Sequence, residues 1–163
     1  MIFSKNTEKY HDSIEVAKNI CKEEKPSFFK KIQRLFTKNP KSKTQLTNNY
    51  VAKSSPKGKI KILDSTTKKC LRKLKGHNRS CQVTSLLLDT REKQLISSSS
   101  LGDIKIWDID KGVCFKTLQA HSSSIQCLVL IPNLNQLVSK DKSGEIKVWC
   151  IKTWKCVKMF KNV

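Results

Sequence analysis

Three short segments of this chain have almost the same sequence, and their even spacing restricts the fold more than any other feature. They are Gly58–Asp64, Gly102–Asp108 and Gly144–Cys150, in which a glycine precedes alternating apolar and basic residues. Such alternation is typical of a β-strand with one buried face. Because the segments recur about every 40–45 residues, the sequence predicts an array of equivalent β-units. Arrays of this kind present binding surfaces and seldom carry chemistry.

Landmark residues keep the copies in register. A cysteine follows seven residues after each of Leu63, Trp107 and Trp149, at Cys70, Cys114 and Cys156, and His77 and His121 lie seven residues after the first two cysteines. Four strands are predicted in each full copy, at 82–88, 94–99, 103–107 and 113–118 and at 124–130, 136–140, 145–149 and 155–160. Trp107 and Trp149 are expected to be buried on the third of these strands, and Trp154 is expected to be largely exposed in the turn that follows. The first copy has strands predicted at 50–55, 59–63 and 69–74. Gln33 stands where its histidine should be, so this copy is expected to lack its first strand.

These motifs resemble the WD-repeat β-propeller family. Gly76-His77 followed by Trp107-Asp108 matches the pattern of that family, and Ala120-His121 with Trp149-Cys150 matches it with two departures. The resemblance implies a mainly β fold, an incomplete propeller of about three blades of antiparallel sheet. The expected blades are about 46–75, 76–118 and 119–163. An α-helical, basic N-terminal segment with a linker, residues 1–45, would precede them.

The resemblance also implies a structural hydrogen-bond relay in each full blade. In the family, the loop histidine joins a strand serine or threonine, the tryptophan and a turn aspartate. Carried over, the relays comprise His77, Ser97 and Trp107 in one blade and His121, Ser139, Asp141 and Trp149 in the next. Ser100-Leu101 stands at the aspartate position of the first relay. A relay without its carboxylate is expected to be weaker than the family norm.

The first fifty residues change from a period of two to helical spacing. Asp12–Glu15 is a capping box, and Pro26 separates a first helix from a second. The second helix has an apolar stripe and a charged side; the stripe is Phe28, Phe29, Ile32, Leu35 and Phe36, and Lys30, Lys31, Arg34 and Lys38 supply the charge. Three roles remain open for this partner-binding candidate: a cap on the repeats, insertion into the groove of a partner, or contact with an anionic membrane.

Charge and cysteine content narrow the range of partners and compartments. The chain has 33 Lys+Arg against 13 Asp+Glu, a net charge of +20. This charge favours an acidic partner, although lysines that protect strand edges produce the same excess. The seven cysteines are expected to be small buried hydrophobes in a reducing compartment. With no signal peptide or apolar transmembrane run, the chain is expected to be intracellular, in the cytoplasm or nucleus.

No enzyme signature accompanies the repeats. The three histidines lack zinc-like spacing to cysteine, and nucleophile elbows and phosphate loops are absent from the sequence. The sequence therefore predicts a non-catalytic protein–protein interaction scaffold without cofactor or metal. The alternative is a basic peripheral binder of membrane or nucleic acid that acts through the N-terminal helix. A further expectation is an open arc with an exposed apolar face, which another propeller chain or a second copy could complete.

Overall fold

The computed structural model describes residues 44–46, 50–55, 57–89 and 91–161. The two predicted N-terminal helices, including the apolar stripe, lie outside these ranges. The described part is mainly β, with one short 3-10 helix at Pro132–Leu134. Twelve strands form three antiparallel sheets of four strands each.

The strands follow one another across each sheet in chain order. Sheet 1 contains β1 (Thr44–Leu46), β2 (Tyr50–Ser55), β3 (Lys59–Asp64) and β4 (Cys70–Leu74). Sheet 2 contains β5 (Val83–Asp89), β6 (Gln94–Ser99), β7 (Asp103–Asp108) and β8 (Val113–Gln119). Sheet 3 contains β9 (Ile125–Ile131), β10 (Gln136–Asp141), β11 (Ile146–Cys150) and β12 (Lys155–Phe160). Each of the predicted strands lies within about one residue of its observed position.

Sheet 1 has a fourth strand that the sequence did not predict. Thr44–Leu46 pairs antiparallel with β2, with Thr44 opposite Lys53 and Leu46 opposite Val51. The expectation that the first copy lacks its first strand is therefore wrong. A strand of three residues is too short to show alternation, so the sequence contained no periodic signal for it. The first sheet starts two residues before the start expected at residue 46.

The sheets pack through two different faces. The tryptophan face of sheet 2, with Val83, Leu86, Leu95 and Trp107, packs on Ala52, Ile60, Ile62 and Leu74 of sheet 1. The aliphatic face of sheet 2, with Ile96, Ile104, Ile106 and Leu118, packs on the tryptophan face of sheet 3, with Ile125, Leu128, Leu137 and Trp149. Trp107 and Trp149 are 1% and 6% exposed, which confirms the prediction that both are buried on the third strand. The core therefore lies between the sheets. At each interface, the aliphatic face of one sheet packs on the tryptophan face of the next sheet.

The outermost strands overturn two other expectations. Cys70 and Cys156 are exposed and Cys114 is half-buried, because β4, β8 and β12 each form the free edge of a sheet. The prediction that the recurring cysteines are buried is therefore wrong. Trp154, expected to be largely exposed in the turn before β12, is half-buried and packs against the core between sheets 2 and 3. Its positive φ of 55° turns the chain so that the indole lies back on the sheet.

Candidate functional site

A chain of buried hydrogen bonds joins the loop before β5 to the strands of sheet 2. Trp107 Nε1 donates to Ser97 Oγ at 2.8 Å, and Ser97 Oγ lies 2.6 Å from His77 Nε2. The other ring nitrogen, His77 Nδ1, lies 3.0 Å from Asp103 Oδ2. Asp103 therefore provides the carboxylate of this relay, which the sequence analysis did not identify. Asp103 directly follows the turn glycine before β7, whereas the family pattern places the aspartate at Ser100-Leu101.

Sheet 3 repeats the arrangement with a larger acidic group. Trp149 Nε1 donates to Ser139 Oγ at 2.9 Å, and Ser139 Oγ lies 2.7 Å from His121 Nε2. His121 Nδ1 lies 3.1 Å from Glu145 Oε2 and 3.4 Å from Asp141 Oδ2. Glu145 occupies the position of Asp103, directly after a turn glycine. The structure therefore brings all the sequence-predicted relay residues together and adds one acidic residue to each set.

The partners of each histidine fix its tautomer. An ionised carboxylate can only accept, so Nδ1–H donates to it and Nε2 accepts from the serine hydroxyl. Burial lowers the pKa of His121, although the neighbouring Asp141 opposes this shift, and the ring therefore favours its neutral form. Burial would raise the pKa of Asp141, but hydrogen bonds from Ser143, Ser123 and the Glu145 N–H lower it overall. These assignments are consistent with a neutral imidazole beside an ionised acid.

The Ser97–His77–Asp103 geometry is that of a hydrolase triad, but its surroundings prevent catalysis by that route. A nucleophilic serine must meet its substrate, and Ser97 is 0% exposed. Its oxygen also accepts a hydrogen bond from the Trp107 N–H, so the hydroxyl is held inside the core between the tryptophan and the histidine. Ser139 is likewise 0% exposed and accepts from Trp149. Both relays therefore act as structural links in the described part of the molecule.

One of the relays contains a potential set of metal ligands. One ligand atom each from His121, Asp141 and Glu145 lies within 4.8 Å of the others. However, Lys147 Nζ lies 3.1 Å from Glu145 Oε2, where its ammonium supplies the positive charge that a cation would bring. Asp141 accepts hydrogen bonds from Ser123, Ser143 and the Glu145 N–H. The cluster is therefore an ion-pair network whose acceptor sites are already in use.

Comparison with known proteins shows which family has this arrangement. A family model described as WD domain, G-beta repeat matches residues 68–108 and 112–150. The chain belongs to the WD-repeat family. Domains of this family are generally non-catalytic scaffolds for protein–protein interaction.

Similar proteins support the assignment over part of their length. Cell division control protein 4 of Saccharomyces cerevisiae is 30% identical over 91 residues, which are 56% of this chain and 11% of that protein. A computationally designed protein, Ika8, has 30% identity and a TM-score of 0.64 over 72% of this chain and 35% of its own. The C-terminal WD40 domain of Sif2, at 23% identity and a TM-score of 0.61, covers 71% of this chain and 32% of its own and shows the fold. This chain thus spans about a third or less of each relative.

The WD relays hold loops and turns together at one end of the sheets. We call this surface the loop rim; it consists of turns 57–58, 100–102 and 142–144 and loops 75–82 and 120–124. The backbone N–H groups of Ala120 and His121 both donate to Gly102 O, and Lys142 N donates to Ser124 O at 2.8 Å. Gly102 has a φ of 85°, and a Cβ there would collide with the carbonyl oxygen of His121. The rim is therefore closely packed and held in one conformation.

Exposed cations lie at both ends of the sheets; at the end opposite the loop rim, Lys69 and Lys152 likewise have no ion pair among the described residues, but three other cations there do. Lys57, Lys75, Arg79 and Lys142 are exposed on the loop rim, and no ion pair to them is found among the described residues. The rim also exposes the apolar side chain of Leu101, at 55%. At the opposite end, Lys93 pairs with Asp110 at 3.0 Å, Arg91 with Asp89 and Lys111 with Asp108. The acidic groups near the loop rim, by contrast, are used by the relays.

The other sequence-predicted binding residues cannot be compared with this surface. The apolar stripe and its charged neighbours at Lys30, Lys31 and Arg34 lie outside the described residues. Among the described residues, no helix has the length and apolar character required to span a membrane. The loop rim was missed in the sequence because its cations come from three separate loops and turns, and only the fold brings them to one surface.

Proposed function

We propose that this chain is a non-catalytic adaptor that binds an acidic protein segment through the loop rim. The observation that carries the proposal is the set of four exposed rim cations, whose acidic neighbours are engaged by the relays. Positive charge without internal partners attracts acidic ligands and accelerates their association. Leu101 adds an exposed apolar side chain to the same rim, as interfaces commonly combine apolar contact with a polar surround.

The proposal includes an architecture and a location. The three sheets represent part of a β-propeller, because a closed ring needs typically 4–8 blades. The expected compartment is intracellular; support comes from the six described cysteines, which form no disulfide with one another. The relays support a scaffold role, because they consume the histidines and serines that a hydrolase would need.

Charge reversal at matched positions tests the binding surface. The rim variant is Lys57→Glu with Lys142→Glu, and its control is Lys69→Glu with Lys152→Glu at the opposite end. Both variants replace exposed lysines and change the net charge equally. The purified chain is used to capture proteins from a cell extract at several salt concentrations, and the captured proteins are identified by mass spectrometry. We expect an acidic partner that the rim variant loses, that the control retains and that high salt releases.

Two results would contradict the proposal. Equal retention by the rim variant and its control would show that the rim is not the binding surface. Flotation with anionic vesicles, or nuclease-sensitive capture, that persists in the rim variant and is lost with Lys30→Glu and Arg34→Glu would favour the membrane or nucleic-acid alternative. That alternative rests on the net charge and on the basic helix, and the rim charges do not require it.

A further inference from the structure

Sheets 1 and 3 lie at the two ends of the array, and their outer faces differ in character. Sheet 3 has an aliphatic face directed away from sheet 2, formed by Val129, Ile131, Val138, Ile146 and Val148. Val138, Ile146 and Val148 are the equivalents of Ile96, Ile104 and Ile106, which in sheet 2 are covered by the next sheet. By analogy, the aliphatic face of sheet 3 is a surface that fits a packing partner.

This face is buried, although the sequence predicted an exposed apolar face. The five side chains are between 0% and 6% exposed. The other two core clusters each join two sheets, whereas this cluster and its part-buried neighbours Cys127, Leu134 and Phe160 all belong to sheet 3 and its connecting turn. Within the described ranges, β5 and β6 pack on sheet 3 from the other side. A single sheet needs a second layer to bury its face, and the described residues do not supply one on this side of sheet 3.

We propose that the apolar stripe, Phe28, Phe29, Ile32, Leu35 and Phe36, covers the aliphatic face of sheet 3. The stripe places large apolar side chains at helical spacing on one side, which is the pattern of a helix packed on a sheet. Its charged side, with Lys30 and Arg34, would then face solvent. This inference is independent of the loop rim and of what the rim binds.

The chain is long enough for this docking. Eight residue steps separate Phe36 from Thr44 at the start of β1, and they span at most about 26–29 Å. β1 packs beside β5, and β5 packs beside β9. Because packed sheets lie about 10 Å apart, β1 and β9 are separated by about two such spacings. A helix on the outer face of sheet 3 would lie about one layer spacing beyond β9, so the linker reaches it when it is almost fully extended.

A second copy of the chain fits the aliphatic face less well. In this molecule an aliphatic face packs on a tryptophan face, and the free face of that kind belongs to sheet 1. There Lys53, Lys59 and Leu63 replace Ser97, Asp103 and Trp107. Lys53 and Lys59 are exposed, and head-to-tail association would bury their charges. Val51 on the same face is buried, but the lysines around it disfavour an apolar partner, and the apolar stripe is the better match for sheet 3.

Photo-crosslinking in the full chain tests the docking. Benzoylphenylalanine is introduced as Phe29→benzoylphenylalanine on the apolar stripe or as Arg34→benzoylphenylalanine on the charged side of the same helix. A mixture of light and isotope-labelled chains distinguishes crosslinks within a chain from those between chains. We expect the Phe29 probe to label residues 127–148 of its own chain, and the Arg34 probe to label them at least tenfold less. Crosslinks to sheet 1, crosslinks only between chains, or equal labelling by both probes would overturn the proposal.

Hydrogen exchange provides a second measurement that does not depend on the probe. Ile146→Glu places a charge in the aliphatic face, and Val157→Glu places one on the exposed β12, where Val157 is 51% exposed. We expect amide exchange in residues 28–36 to accelerate at least tenfold with Ile146→Glu and to remain unchanged with Val157→Glu. If Ile146→Glu does not fold, Ile32→Ser is used, and faster exchange in β10 and β11 is expected. Unchanged exchange in the folded variants would overturn the proposal.

Discussion

Trp107 illustrates how one side chain supports both packing and hydrogen bonding. It is 1% exposed in the core between sheets 1 and 2, and its indole N–H donates to Ser97. Its ring also lies against Gly76, where a Cβ would come within 2.9 Å of the indole. The loop before β5 therefore depends on the tryptophan both for contact and for the orientation of His77.

Trp107→Ala is expected to lower the free energy of unfolding by about 3–5 kcal/mol, the usual cost of truncating a buried aromatic residue. Urea unfolding followed by circular dichroism measures the change. Trp154→Ala serves as the control, because this half-buried tryptophan packs at the edge of the core and should cost less. A loss below about 1 kcal/mol for Trp107→Ala would contradict the buried position.

His121 gives the fold a dependence on pH. Burial lowers its pKa below the ordinary value of 6.5, so the unfolded chain binds a proton at this site more readily than the folded chain does. The free energy of unfolding therefore decreases as the pH falls below about 6.5, and the full contribution is present above that value. Asp103 and Asp141, whose pKa values are lowered below 3.8, add a further loss in more acidic solution.

The test compares wild type with His121→Gln in urea unfolding at pH 7.5 and 5.5. Wild type is expected to lose more stability between the two pH values than the variant, which lacks the titrating ring. His11 and His77 are present in both chains, so the difference between the slopes reports on His121. Identical slopes would show that the His121 pKa is not depressed.

Only some relay residues could be predicted from the sequence. The tryptophan, serine and histidine positions recur in both full repeats, and this regularity was enough to place them. Asp103 and Glu145 were missed because each follows a turn glycine and was assigned simply to the start of a strand. The shared acidic residue after Gly102 and Gly144 was a usable signal, although a contact between residues 26 positions apart requires the fold to be known.

At the scale of the element, each relay fastens a loop to the strand pair beside it. Asp103 at the start of β7 accepts from His77 in the loop before β5, so strand and loop hold each other in place. Burial would raise the pKa of Asp103, but hydrogen bonds from His77 and Ser99 lower it overall, and the carboxylate stays ionised at neutral pH. The premise that this relay lacks its carboxylate is therefore wrong, and its strength stays a prediction.

Asp103→Asn keeps the shape of the side chain and removes its charge. The free energy of unfolding is expected to fall by about 1–2 kcal/mol, since charge-assisted hydrogen bonds are roughly twice as strong as neutral ones. Amide exchange in residues 76–82 should accelerate. Asp110→Asn is the control; it removes an exposed ion pair to Lys93 and should cost at most about 1 kcal/mol. Equal effects of the two variants would show that Asp103 does not anchor the loop.

The positions of the strands were easier to predict from the sequence than their places within the sheets. The alternation of apolar and basic residues gave β3, β7 and β11, because each places buried aliphatic side chains on one side of the strand and a lysine on the other. The same alternation could not show that β4, β8 and β12 lie at sheet edges, so the recurring cysteines were placed in the core by mistake. Edge position is a property of the sheet order, which a single strand does not encode.

For the molecule as a whole, the two ends of the array differ in character. The outer side of sheet 1 carries Lys53, Lys59 and Lys61 between its apolar positions, whereas sheet 3 ends in a continuous aliphatic face. The repeat period predicts that the units stack, but it does not show which end of the array has a polar outer face and which has an apolar one. That difference depends on substitutions in the first copy, where lysines replace relay residues.

Two deletions of different length separate the roles of the N-terminal residues. Removing residues 1–43 keeps β1 and removes the apolar stripe, whereas removing residues 1–26 keeps both. Each large aliphatic side chain contributes about 1.5–3 kcal/mol when it is buried, so uncovering the five on sheet 3 should be costly. We expect the longer deletion to bind a hydrophobic dye, to melt at a lower temperature and to self-associate in light scattering coupled to size exclusion. The shorter deletion should behave as the full chain does. A longer deletion that remains monomeric, dye-free and equally stable would show that the N-terminal residues are a free arm.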